Sequence, residues 1–401
     1  MRIAHVTATF PPYYAGTGMV CYRSALELSR LGHDVTVLTA AATDTRDVGP
    51  DGVDVRRLTP WFRIGNAPLL PGLLSLERFD IVHLHYPFIF GAEMIWARSL
   101  LSGVPYVLTH HNDLIGDGMR GHLFRAYASV TAPVVLRGAR KLAAVSLDHA
   151  ANCRLGPIFR RRWADVVEVP NGVDTDIFRP GIDGATVRDR FGIGPADRVV
   201  LFVGAMDRAH HFKGVEYLLR ALAQIRDQRV VGLLVGEGDL RPRFQAEAAR
   251  LGLESRAHFV GGVPHDDLGP YYAAANVVVL PSFPPESFGM VLIEGMSCGV
   301  PVVAHNIPGV RRVVRHGETG LLVEPGNTAD LAAAIHTIVS DSALSAEMGA
   351  RGRKLVLDQY TWPAIGRRLV SLYEGVVGAD RPPVTVGAGR AGYGEQTEPD
   401  R

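Results

Sequence analysis

The sequence predicts an α/β chain built as two doubly wound parallel-sheet domains facing a central cleft. The length of 401 residues exceeds what one ordinary core organises. Short β-branched runs alternate with longer helical patterns from one end to the other, and several runs are apolar throughout, as in Val199-Val200-Leu201-Phe202-Val203. A strand apolar on both faces is buried on both, which places it in a parallel sheet between helices. Repeated β–α alternation then gives the doubly wound arrangement.

Strands are expected at 3–9, 35–39, 81–85, 106–110, 142–146 and 166–169, then at 199–203, 230–235, 258–260, 277–280, 302–305 and 321–323. The boundary falls within 171–198: Asn171-Gly172-Val173-Asp174 has a turn pattern, and Arg179-Pro180-Gly181 followed by Gly184 interrupts any regular element. This divides the chain into a first domain at 1–180, completed by 361–377, and a second at 185–360. Thr361-Trp362-Pro363 opens a helix whose body, 364–377, is amphipathic. Residues 378–401 carry too little apolar content to fold and are expected to form a disordered tail.

Lys and Arg number 42 against 41 Asp and Glu, so no global field recruits nucleic acid. Cys21, Cys153 and Cys298 lie far apart and match no zinc or redox spacing, which suits a reducing cytoplasm. No apolar run approaches the ~18 residues that cross a bilayer, and the first residues read as a strand rather than a leader. A cytoplasmic protein is the expectation.

Ligands of open α/β sheets bind at the strand C-terminal ends, and four constellations fall there. After the first strand, Gly16 and Gly18 allow backbone amides to approach an anion at a helix start. A dinucleotide fingerprint would need glycine where Cys21 stands, so NAD and FAD are disfavoured, and a tight turn with no ligand remains open. His83 and His85 share one strand face, and His111 and Asp113 end a neighbouring strand. These four could gather a metal, or be packed as structure; a histidine at a strand end in the cleft is suited to touching a substrate. In the second half, Arg208 and Lys213 precede a helix at 215–225, where their charge adds to the helix dipole unless they are simply solvated. Finally, a strand at 277–280 runs through a proline-stiffened turn into a helix expected to begin near Ser287. The amides of 288–291 could hold a diphosphate. Glu286, and Glu294 about two helical turns on, could accept ribose or sugar hydroxyls. The plainer reading is a capping acid and a surface acid, although Glu294 sits among Met290, Leu292, Ile293 and Met296.

Taken in order, these residues resemble the retaining glycosyltransferases of family 4, which have the two-domain GT-B fold. The shared signals are Ala15-Gly16, Thr109-His110-His111-Asn112-Asp113, Val169-Pro170-Asn171-Gly172-Val173-Asp174, Arg208 with Lys213-Gly214, Val235-Gly236-Glu237-Gly238 and the Glu286/Glu294 pair. Gly309-Val310 and Gly317-Glu318-Thr319-Gly320-Leu321-Leu322-Val323 complete them. The resemblance implies two Rossmann-like domains, the first on the acceptor side and the second holding a nucleotide sugar, with the last helix crossing back to the first. It implies that Arg208 and Lys213 hold the donor diphosphate and Glu294 the ribose. Glu286 would contact the donor sugar, and His111 would do so beside the reacting carbon. Phe288, Gly289, Met290 and Val291 would assist through their backbone, Gly16 and Gly18 would line the donor side, and the base would stack near Val263-Pro264. Two departures stand out: Ala15 replaces one of a usual glycine pair, and Ala205 stands where arginine is common, leaving that role to Arg208.

The expected chemistry is metal-independent, with no cofactor. Asp174-Thr175-Asp176 has a metal-binding pattern but lies in the linker, where it reads as a turn. Cations and a helix N-terminus would stabilise the departing diphosphate of a UDP- or GDP-linked sugar. The acceptor hydroxyl would attack on the same face, with retention. Between 119 and 163 nine positive residues (Arg120, Arg125, Arg137, Arg140, Lys141, Arg154, Arg160, Arg161, Arg162) accompany one acid, Asp148, and are interleaved with apolar side chains. Such a stretch suits the inner face of an anionic membrane and a lipid-linked acceptor in glycolipid or cell-surface polysaccharide synthesis; solvated helices are the alternative. Two other classes share the architecture, a nucleotide-sugar 2-epimerase and a non-catalytic nucleotide-sugar-binding protein.

Overall fold

The computed structural model describes residues 1–12, 16–41, 49–65, 67–75, 79–114 and 118–379. Ala15 and the expected tail from 380 onward lie outside the described residues, as does the side chain of Arg120. The strands, in chain order, are β1 (Arg2–Val6), β2 (Asp34–Ala40), β3 (Val53–Leu58), β4 (Phe62–Ile64), β5 (Ala67–Leu69), β6 (Ile81–Tyr86), β7 (Tyr106–His110), β8 (Lys141–Ala144) and β9 (Val166–Glu168). They continue as β10 (Arg198–Val203), β11 (Val230–Val235), β12 (Ala257–Gly261), β13 (Val277–Leu280), β14 (Val302–His305) and β15 (Gly320–Val323).

Two parallel sheets result among the described residues. The first runs β3-β2-β1-β6-β7-β8-β9 and the second β12-β11-β10-β13-β14-β15, while β4 and β5 form a small antiparallel hairpin. Each sheet reverses its winding once, between β1 and β6 and between β10 and β13, and such switch points open the crevices where α/β proteins hold ligands. The core strands are those whose two faces are both apolar: β11 and β13 are buried at every residue. β3 escapes the apolar-run pattern because it is an edge strand. Its sequence Val-Asp-Val-Arg-Arg-Leu leaves it half-exposed, with charged Asp54, Arg56 and Arg57.

The helix Trp362–Ala379 leaves the second sheet's layer and packs on the first. Trp362, Ile365, Leu369, Leu372, Tyr373 and Val376 join Ile3, Cys21, Leu28, Val37 and Ile81 in one buried cluster. Each such fully buried aliphatic or aromatic side chain contributes about 1.5–3 kcal/mol, which holds this helix across the two lobes. The helix runs on through Gly378 and Ala379, two residues into the stretch expected as tail. Between the sheets, Val173 donates its amide to the Tyr360 carbonyl, Phe178 is fully buried, and Ala185–Arg190 is a short helix. Asp174 behaves as turn chemistry: its Oδ1 accepts the amides of Asp176 (3.0 Å) and Ile177 (3.3 Å), and its Oδ2 pairs with Arg23 at 2.9 Å.

Candidate functional site in the interlobe cleft

The second lobe builds its part of the site from two turns locked together. After β10, Asp207 caps a short 3-10 turn, Arg208–Lys213, by accepting the His210 amide. The turn closes on Gly214, at φ 73°, where a Cβ would meet the Pro281 carbonyl oxygen at 2.0 Å. Only glycine fits there. The Phe283 amide donates to the Phe212 carbonyl at 2.8 Å and ties this turn to the one after β13. Lys213 and Glu286 are thereby brought together, Nζ to Oε2 at 2.6 Å, with side chains 19% and 11% exposed.

Burial acts to raise the Glu286 pKa, but the Lys213 ammonium and the amides of Phe288 and Gly289 outweigh it and hold the carboxyl below its ordinary value. This revises the expected helix start. With Phe288 and Gly289 donating to Glu286 and Gly289 at φ 86°, the helix is Met290–Ser297 rather than one beginning near Ser287. Met290 and Val291 supply its first-turn amides, while the Phe288 ring is buried edge-on against Tyr360. Glu294 consequently lies just over one turn into the helix. It is buried, accepts from the Tyr272 hydroxyl at 2.5 Å, and faces His265 Nε2 at 3.1 Å. Burial pulls His265 down, yet Glu294 and Asp266 raise its pKa overall. Val263, half-buried against the same core, lies two residues before His265 in the chain.

The structure does not bring Arg208 to this pair. Its backbone amide and its Nε both bind Asp239, at 3.0 and 3.1 Å, and its side chain is 81% exposed. The cap on Asp207 fixes the turn so that its first residue faces the loop of Asp239. Sequence inspection offers Arg208 and Lys213 as equals; the structure separates them.

In the first lobe Gly16 opens the helix Gly16–Arg30. Gly18 lies so near β1's exit that a Cβ would meet the Thr9 carbonyl oxygen at 2.7 Å, so its small size already serves packing. His111 follows β7, donates its amide to the Tyr86 carbonyl at 3.0 Å, and is buried. The lobes meet beside it. Asp148, capped into the helix Leu147–Asn152 that follows β8, accepts from the Gly309 amide at 3.0 Å and pairs with Arg311 at 2.7 and 2.8 Å. His149 lies near enough for Glu286 to bear on its protonation.

His83, His85, His111 and Asp113 do not converge on a point where one ion could sit. His85 spends its ring nitrogens on His111 and His5, His83 spends its own on Tyr373 and Thr109, and Asp113 binds the Arg154 amide and faces His110 at 3.5 Å. Two other described groups bring metal-capable atoms within 4.8 Å of one another, namely His5, Cys21 and His85, and His110, His149 and Cys153. In the first the imidazoles are already hydrogen-bonded to each other. In the second, burial pushes the Cys153 thiol up to about 12. His5, Tyr272, His265 and Tyr373 were not expected at the site. The only signal for His5 is its place opposite His83 across the β1–β6 register.

The model for "Glycosyltransferase Family 4" matches residues 14–177 and that for "Glycosyl transferases group 1" matches 185–355. A D-inositol 3-phosphate glycosyltransferase of Corynebacterium jeikeium is 36% identical, covering 93% of this chain and 96% of its own. An uncharacterized glycosyltransferase of Methanocaldococcus jannaschii is 28% identical, over 93% of this chain and 98% of its own. Among solved structures, sucrose-phosphate synthase from Thermosynechococcus elongatus superposes with a TM-score of 0.77 at 26% identity, over 94% of this chain and 99% of that one. Two facing Rossmann-like lobes, a lysine and two glutamates at the second lobe's switch point, and matches along both halves have one reading: the chain is a glycosyltransferase and belongs to group 1, family 4.

Proposed function

We propose that the protein transfers a hexosyl unit from a nucleoside-diphosphate sugar, UDP- or GDP-linked, to a hydroxyl acceptor, with retention at the anomeric carbon and without a metal ion or cofactor. The Lys213–Glu286 pair at 2.6 Å, set over the amides that open the helix Met290–Ser297, carries this reading. As the bond from the anomeric carbon to the phosphate oxygen breaks, its electron pair leaves with the diphosphate while the carbon becomes oxocarbenium-like. The site must favour that separation of charge. Lys213 has three N–H donors and gives one to Glu286, so the others remain for a phosphate oxygen. The first-turn amides and helix dipole of Met290–Ser297 add to it.

Glu286, ionised and fixed by its partners, suits hydroxyls of the donor sugar. Glu294 keeps acceptor capacity beyond its bonds to Tyr272 and His265, enough for a ribose diol, and Val263-Pro264 offers a surface for the base. His111 approaches the sugar from the first lobe. The acceptor oxygen bonds to the anomeric carbon on the face the phosphate leaves, and its proton passes to the departing phosphate oxygen.

For the acceptor, the helix Gly118–Gly138 supports a lipid-linked molecule of glycolipid or cell-surface polysaccharide synthesis. It exposes Leu123 and Val130, 65% and 73% accessible, among arginines. No described helix is long and apolar enough to cross a membrane, and the association proposed is peripheral. A second reading is a phosphorylated polyol. It is favoured by a pocket of about 210 Å³ lined by Tyr86, His110, Asp113, Arg125, Ser129 and Arg154, and by the acceptor in the name of the Corynebacterium relative. The test is incubation with UDP-, GDP- and ADP-sugars, with EDTA and without. An inositol phosphate and a polyprenyl-diphosphate sugar in anionic vesicles serve as acceptors, and the product's anomeric configuration is read by NMR. Retained product formed in EDTA supports the proposal. Inverted product, manganese dependence, or epimerised sugar without transfer overturns it.

A further inference from the structure

Beneath His111 runs an unbroken line of hydrogen-bonded side chains through the first sheet to the helix Trp362–Ala379. His111 Nε2 meets His85 Nδ1 at 2.8 Å, and His85 Nε2 meets His5 Nδ1 at 2.9 Å. His5 Nε2 meets the Tyr373 hydroxyl at 3.2 Å, that hydroxyl also meets His83 Nδ1, and His83 Nε2 meets Thr109 Oγ1 at 2.6 Å. All six residues are buried. The first sheet's register creates the line, because β1, β6 and β7 are neighbours and His5 pairs with His83, and His85 with Thr109.

Each link needs one hydrogen. Five links are served by the single ring hydrogens of four neutral imidazoles and the hydroxyl hydrogens of Tyr373 and Thr109, which leaves one over. Three proton arrangements satisfy every link, because the Tyr373 hydroxyl can pass the direction on or accept from both neighbours. In one, every group donates toward His111, beginning with Thr109 into His83, and the surplus hydrogen sits on His111 Nδ1. In another, all donations reverse, His111 Nδ1 becomes an acceptor, and the buried Thr109 hydroxyl has to find an acceptor outside the chain of bonds. In the third, His83 and His5 both donate to Tyr373, His111 Nδ1 is again an acceptor, and the Tyr373 hydroxyl hydrogen is left over. The first arrangement leaves its surplus hydrogen at the open end of the line, on a His111 nitrogen that is not among the fully buried unpartnered atoms. The others strand a hydroxyl hydrogen on Thr109 or Tyr373, 4% and 0% exposed and bonded only within the line, and buried donors are costly to leave unmatched.

We infer that this relay, with Tyr373 as its central positioning residue, fixes His111 as the neutral Nδ1–H tautomer and so makes it a hydrogen-bond donor, not a base, toward the hydroxyls of the bound sugar. The inference rests on the transferase reading for the sugar, but not for the tautomer. Burial, which pushes His5 and His111 down to about 3, agrees with neutral rings throughout.

Long-range proton–nitrogen NMR on histidine-labelled protein tests it, with His111 assigned through a His111→Gln variant. Wild type should show His111 protonated at Nδ1 alone. Tyr373→Phe cuts the line at its centre, and Thr109→Val removes its source. In each, His111 should shift toward Nε2–H and kcat should fall about tenfold, less than the ~10²–10³ of deleting a transition-state donor outright because the ring stays in place. The donor KM should stay within about threefold, since ground-state binding lies mainly with the second lobe. Circular dichroism establishes that the variants fold, and either variant alone suffices. An Nε2–H His111 in wild type, or an Nδ1–H His111 unchanged in both variants, overturns the relay. A wild type that transfers no sugar but shows the Nδ1–H tautomer instead overturns the transferase reading and leaves the relay standing.

Discussion

Asp148 and Arg311 are 163 residues apart in sequence and clasp the two lobes beside the site, with both carboxylate oxygens facing the guanidinium at 2.7 and 2.8 Å. Asp148 also accepts the Gly309 amide at 3.0 Å, so the contact fixes distance and rotation together. Burial works to raise the Asp148 pKa, but Arg311 and the Gly309 amide outweigh it and keep the carboxyl below its ordinary value. The clasp therefore holds at neutral pH and is lost only as acid carries the solution through that lowered value.

Replacing Arg311 by alanine should loosen the closed arrangement without unfolding either lobe. Partly exposed ion pairs are worth about 1 kcal/mol or less, so the melting temperature should change little. Turnover should nevertheless fall severalfold, because a small displacement between the lobes misaligns the reacting groups. Small-angle scattering should report a larger radius of gyration for the variant. An unchanged radius with unchanged turnover would show that the clasp does not set the lobe angle. High salt should reproduce part of the effect in wild type and add little in the variant.

Lys213→Ala should reduce kcat by more than about tenfold, the scale of losing a charge contact made mainly in the transition state. It also leaves Glu286 without its cation, so part of any loss comes from the glutamate's altered ionisation. Comparing Lys213→Ala, Glu286→Gln and the double variant separates the two. The double variant should be no worse than Lys213→Ala, because the residues act as one unit. Unchanged turnover in Lys213→Ala would remove the mechanism.

Arg208→Ala should be mild, within about threefold in kcat/KM, in line with the small worth of exposed ion pairs. The guanidinium lies on the surface against Asp239. Steady-state kinetics with the preferred nucleotide sugar decides the matter, and a loss comparable to that of Lys213→Ala would mean that Arg208 swings to the diphosphate when donor binds.

The contrast between these two cations shows how far the sequence could be read. β7, β11, β13 and β14 lie at the expected residues because buried parallel strands announce themselves as apolar runs with breakers at each end. β3 does not, since an edge strand needs no second apolar face. The Lys213–Gly214 and Glu286 motifs were legible because a left-handed glycine and a proline-rich turn leave local marks. The direction of Arg208 was not, for it depends on Asp239, 31 residues away. Tyr373 was hidden for the same reason at greater range: its sequence context reads only as an amphipathic helix, while its partners His5 and His83 lie 368 and 290 residues earlier.

The buried histidines should make the protein sensitive to mild acid. Burial holds His5 and His111 near about 3 and His149 near about 4, and keeps His83 and His85 well below their ordinary value. Above the unfolded value of about 6.5, neither folded nor unfolded chain binds these protons, and the histidines leave stability independent of pH. Below it the unfolded chain takes up protons that the folded chain refuses. Stability then falls with falling pH, and the decline ends only near the folded values. Each group costs about 1.4 kcal/mol per pH unit in that window, so His5 and His111 together remove about 4 kcal/mol by pH 5, much of the stability of an ordinary domain. Urea unfolding followed by circular dichroism at pH 7.5, 6.5, 5.5 and 4.5 should show a constant midpoint between the first two and a steep fall thereafter. His5→Gln should flatten that slope even if it lowers stability at neutral pH, because it deletes one of the linked protons. A midpoint that stays level from pH 7 to 5 would mean that water or a counter-charge reaches these rings and that they are not held neutral by burial.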